Sequence, residues 1–121
     1  MSNPSLFDAG SVGVLHLSEA TQFSDSGIVS RTLLSAGPTR VVLFGFAAGQ
    51  ELTEHASPAR ALVQILSGRC EWTLAGEKRT LGAGDLLHLP PGAPHAVRAL
   101  EPFSMLLTLV RDPAPSAPAI E

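Results

Sequence analysis

Gly84-Asp85-Leu86-Leu87-His88-Leu89-Pro90-Pro91-Gly92-Ala93-Pro94-His95-Ala96-Val97 is the stretch that decides how the chain reads. Leu86 to Leu89 is a short apolar run bounded by turn residues, the pattern of a buried strand. Pro90 to Pro94 puts three prolines and a glycine into five positions. Such a run can be neither helix nor central strand, because proline lacks the N–H that both need. His95 to Leu100 then starts a second strand-like segment. The local pattern is strand, hard turn, strand.

The same pattern extends in both directions. Upstream lie Ile28–Leu34, Thr39–Phe46, Leu62–Leu66, Cys70–Leu74 and Glu77–Leu81, and Phe103–Val110 follows downstream. Ala75-Gly76 is a two-residue hairpin candidate between two of them. Strand-like segments at roughly eight- to twelve-residue spacing, with turn chemistry between, predict an all-β sandwich or closed barrel. Eleven glycines and ten prolines break every window long enough to show a helical period. Residues 1–27 read as a lead-in carrying one short strand near Val12–Leu17, 28–111 as the barrel, and 112–121 as a Pro/Ala-rich tail. Ile28 to Phe46 is apolar on both faces, so cover by a second subunit, a homodimer, is expected.

Composition excludes several function classes. Eight basic against eleven acidic residues leave a net charge of −3, so no basic excess exists to neutralise a phosphate backbone, and nucleic-acid binding is not expected. No run approaches the roughly eighteen apolar residues of a spanning helix, and no basic residue precedes Arg31. A soluble, cytoplasmic protein without a membrane partner is the expectation. The single cysteine, Cys70, rules out an intrachain disulfide and any CxxC motif.

The residues able to carry chemistry near neutrality are the four histidines. His55 follows the Gly49 turn and His95 the Pro-Gly turn, positions from which side chains can converge in one barrel mouth. His88 lies in a Leu-rich strand, where a satisfied structural histidine is the commoner outcome. Trp72 shares strand parity with Cys70 and Leu74 and is expected to fill the core or line a pocket with Val63. Gln64 is unusual in an apolar strand. Facing inward, which needs a bulge because alternation sets it opposite Ala61, it would orient a ligand; facing outward it is a polar pleat position. Arg60 could reach an anionic ligand or be solvated.

Gly49 to Val97 resembles the two motifs of the cupin family, small double-stranded β-helix (jelly-roll) barrels. In the second motif Gly84, Pro90, Gly92 and His95 match in register, with Ala99 where an asparagine would stand. In the first, Gly49, His55 and Gly68 match, but Ser57 takes the place of a second histidine and Ala61 that of a glutamate. The resemblance implies a single jelly-roll barrel with a small-molecule ligand in its pocket, contacted by His55, Gln64, Trp72 and His95. It also implies that a divalent transition metal would have only His55 and His95. That set is incomplete and at most weakly binding, because alanine has no donor atom and a serine hydroxyl is a poor ligand. Whether the chain is an enzyme stays open. A metal-dependent dioxygenase, decarboxylase or isomerase with a reduced ligand set is the alternative to a binding protein. Metal-free acid–base chemistry, as in epimerase-like cupins, lacks a visible partner acid.

Overall fold

A computed structural model of the chain describes residues 5–113. Nine antiparallel strands make two sheets. The first, in the order β1 (Val29–Ala36), β2 (Thr39–Phe46), β9 (Phe103–Val110), β4 (Arg60–Ser67), β7 (Leu86–Leu89), has five strands. The second, β3 (Glu51–His55), β8 (His95–Ala99), β5 (Arg69–Leu74), β6 (Glu77–Gly82), has four. Neither order follows the chain, and the crossing connections are those of a jelly roll. The all-β expectation holds, with strands close to those read from sequence. The exception is β3, where one half-buried apolar residue, Leu52, stands among exposed polar ones. A strand that presents so little apolar surface leaves no alternating signature.

Alternation sorts each strand into an inner and an outer face. From the first sheet Phe46, Ile65, Val63, Met105, Phe103 and Leu89 point inward, and from the second Cys70, Trp72, Val97 and Ala99; together they form the core. One end is closed by large rings, with Phe46 and Phe103 stacked at 4.5 Å between centroids. Stacked aromatics of this kind add about 0.5–1.5 kcal/mol beyond their buried area.

The lead-in differs from its sequence reading. No strand forms at 12–17; Val12 and Val14 are exposed, and a single helical turn, α1 (Leu17–Ala20), follows. Its role is to cover the outer face of β1 and β2. Phe7, Leu15, Leu17 and Ala20 pack on Leu33, Val41, Leu43 and Leu106 in a second small core. A bulge between Thr32 and Leu34 turns Leu33 into that core. The carbonyls of Thr32 and Leu33 accept from Leu6 and Phe7 N–H at 3.2 and 2.7 Å. The cover that a two-sided apolar strand demands is therefore supplied over β1 and β2 by the chain itself. Asp112 and Pro113 carry no regular secondary structure; the rest of the expected tail, 114–121, lies outside the described residues.

Two substitutions test how the turns hold this frame. Gly68, in the β4–β5 turn, has φ +78°, and a Cβ there would lie 2.1 Å from the Pro102 oxygen and 2.7 Å from the Phe103 Cα. Neither backbone atom can yield cheaply. Gly92 has a similar φ of +81° but faces open space. Denaturant melts should show Gly92→Ala costing about 1–2 kcal/mol, the left-handed penalty alone. Gly68→Ala should cost about 3 kcal/mol or more; equal losses would contradict the packing described. Burial pushes the Cys70 thiol pKa up, and the nearby Trp72 indole offsets part of that rise from outside hydrogen-bond geometry. A raised thiol pKa stabilises the fold below the ordinary thiol value, and that contribution is lost as pH rises through the native one. Cys70 in folded protein should thus resist a thiol-exchange reagent at neutral pH and react promptly in denaturant.

Candidate functional site

The open end of the barrel holds a cavity of about 140 Å³. Small side chains at the mouth leave this space, because Ser57 and Ala61 stand where larger groups would close it. Its walls are Phe44, Met105, Leu107 and Leu109 from β2 and β9, Val63 and Leu89 from β4 and β7, and Leu52, Trp72 and Val97 from the facing sheet. The polar groups on its lining are His55, His95 and Ser57, with the Trp72 indole below them.

Both histidines arrive where local chain geometry sends them. His95 begins β8 directly after the proline-rich turn, and His55 ends β3, so antiparallel pairing sets them opposite one another. Their rings meet edge to face at 4.3 Å between centroids. The Gly92 N–H donates to the Ser57 carbonyl at 2.8 Å, which ties the two loops that carry them. Each imidazole Nδ1 lies against the carbonyl two residues upstream, His55 on Thr53 at 2.8 Å and His95 on Ala93 at 2.9 Å. A carbonyl can only accept, so each Nδ1 carries the proton. Nε2 is left as the uncommitted nitrogen of both rings, a lone pair when the ring is neutral. His95 is buried and His55 exposed at the rim. Trp72 is 2 % exposed, 6.1 Å from the His95 ring. Its indole N–H is, among the described residues, the buried side-chain polar atom without a hydrogen-bond partner. Leaving such a donor unpaired costs about 1–3 kcal/mol.

The remaining sequence candidates are not brought to this site. Gln64 is exposed on the outer face of β4, with buried Val63 and Ile65 on either side of it in the chain. No bulge shifts the register of β4 against β9 between Arg60 and Ile65, so plain alternation prevails and Gln64 does not reach the cavity. His88 is also on the outer face, where the Arg60 guanidinium donates to its Nε2 at 2.7 Å. Arg60 grips Asp112 through two further bonds of 3.1 and 2.8 Å. That guanidinium holds the Asp112 carboxyl below its ordinary pKa and has its own raised in return. Glu51 is exposed and faces Arg98 across the strand pair.

A resident metal of the kind the family motifs imply does not fit these residues. Ala61 offers a methyl group where a carboxylate is needed, and the Ser57 hydroxyl already accepts from the Ala59 N–H at 3.1 Å. Among the described residues no group of three His, Cys, Asp or Glu could hold an ion. Two imidazoles alone fall short of the three or four protein ligands of a stable site. No helix among the described residues is long and apolar enough to cross a membrane.

Comparison with known proteins agrees with the barrel. A Streptococcus pyogenes protein of unknown function is 34% identical, with a TM-score of 0.79 over 94% of this chain and 98% of that one. A cupin superfamily protein from Desulfitobacterium hafniense is 26% identical, with a TM-score of 0.76 over 81% of this chain and 90% of its own. Sequence similarity also reaches the dimethylsulfoniopropionate lyase DddQ of Ruegeria pomeroyi, 37% identical over 67 residues. The matched segment is 54% of this chain but spans only 33% of the lyase. Residues 42–110, from the second strand to the end of the last, match the family model of the cupin domain. On that match and this fold, the chain belongs to the cupin family.

Proposed function

We propose that this cupin binds a small, largely apolar organic molecule in the barrel cavity, with His55 and His95 as its hydrogen-bonding partners. The observation that supports it is the edge-to-face imidazole pair above an apolar cavity of about 140 Å³ with no carboxylate on its lining among the described residues. Pockets that select ligands combine mostly apolar walls with a few fixed polar groups. Here both rings are held from behind by backbone carbonyls, so their Nε2 atoms need no reorganisation on binding. A neutral Nε2 accepts from a hydroxyl or amide N–H, and a protonated one donates to an oxygen.

A second reading is a lyase acting on a small organic acid. The similarity to the Ruegeria pomeroyi lyase favours it. In that case an Nε2 lone pair would serve as the base that takes a proton from the bound molecule. Both readings use the same two rings.

Ligand entry should change the fluorescence of Trp72, the single tryptophan, in a screen of small apolar alcohols, amides and acids. His55→Ala and His95→Ala should each weaken the best ligand, by about tenfold for the buried His95 and by less for the exposed His55. Elemental analysis of purified wild type should find no stoichiometric transition metal. The double variant Ser57→His, Ala61→Glu should gain tight binding of one divalent ion, because both positions line the cavity beside the imidazoles. One ion per wild-type chain, lost in both alanine variants, would instead establish a metal protein.

A further inference from the structure

Cross-strand register lays the inner face of the first sheet out in rows. Phe44 is level with Met105 and Ile65, Val42 with Leu107 and Val63, and Arg40 with Leu109 and Ala61. Arg40 therefore occupies the outermost inward row, two strands from Ala61, the position in the cavity wall where a carboxylate is missing. Two strand spacings amount to roughly 10 Å, which a guanidinium on a fully extended side chain largely spans. Arg40 is exposed, so its guanidinium stands in solvent at the rim while its backbone parity is that of the cavity-facing row.

Its surroundings sharpen this. Arg40 and Arg111 line a depression beside the cavity, and Leu109 belongs to both walls. Among the described residues neither lining contains an aspartate or glutamate. Among the described residues neither arginine has an acidic partner, whereas Arg60 and Arg98 each have one. Among the described residues the Arg40 side chain donates to the Thr32 hydroxyl alone, at 3.4 Å, and that of Arg111 to the Gly37 carbonyl alone, also at 3.4 Å. Bonds of that length are at the weak end of the range, so turning Arg40 back across Leu109 gives up little.

Resting on the cavity-binding reading above, we infer that the ligand is an amphipathic organic anion. Its apolar body fills the cavity under the imidazole pair and its carboxylate lies at the rim on Arg40, with Arg111 adding to the local positive potential. Arg40 is then the specificity-determining residue. It selects acids over neutral molecules of the same shape, because a guanidinium forms charge-assisted, two-pronged bonds to a carboxylate that an amide cannot match.

The test uses the full chain, Trp72 fluorescence, and a shape-matched pair of probes, isovalerate and isovaleramide. Wild type should bind the acid about tenfold more tightly than the amide, and added salt should shrink that preference. Arg40→Gln should bring the acid level with the amide, and Arg40→Lys should restore part of the difference. Thermal melts confirm that each variant is folded. Equal binding of acid and amide by wild type would overturn the anion assignment while leaving the cavity reading standing. A preference that survives Arg40→Gln would overturn the role of Arg40. If neither probe binds at millimolar concentration, the cavity reading falls and this inference falls with it.

Discussion

The unequal filling of the barrel's two ends is the constraint on which the rest depends. At one end Phe46 and Phe103 stack and Trp72 closes the floor, all at 2 % exposure or less. At the other, Ser57 and Ala61 leave space that no side chain among the described residues fills. Interiors are close-packed, and an unfilled volume forfeits contacts on all its walls. A cavity with apolar walls and two oriented imidazoles is thus retained at some cost to stability, which is the common bargain at binding sites.

Charge is distributed consistently with that. The outer face of the second sheet carries a half-buried Glu71 between exposed Lys78 and Arg98, at 3.8 and 3.7 Å. Pairs of this kind contribute little to stability. Asp112 is taken up by Arg60 on the far side of β4. Among the described residues no acidic group stands on the cavity lining, and the cations without an acidic partner beside it are Arg40 and Arg111. Two imidazoles on the lining with cations at the rim are the arrangement on which the proposed binding of an organic acid rests, and two imidazoles alone fall short of a resident divalent ion's ligand set.

Much of this was legible in the chain itself. The proline-rich turn before His95 and the glycine turn before His55 announced two imidazoles entering one mouth, and the rings do meet there. Gln64 and His88 were harder, because an isolated polar residue in an apolar strand has two faces to choose between. Only pairing without a bulge across that part of β4 sends Gln64 outward. Arg40 gave no signal at all, since an arginine at the start of a strand is ordinarily solvated. Its parity matters only once β9 and β4 are known to lie beside it.

What residue order alone determined is local: where turns must fall, which runs can be strands, and which donor atoms are missing at positions 57 and 61. These depend on backbone sterics and on side-chain chemistry that each residue carries with it. Tertiary structure alone decided what became neighbours. The lead-in, read as holding a strand, instead folds over Leu33 and Leu43 as a cap, because buried area is settled between distant segments. The adjacency of Arg40, Leu109 and Ala61 likewise comes from pairing between strands far apart in the chain, and no local property of any of the three encodes it.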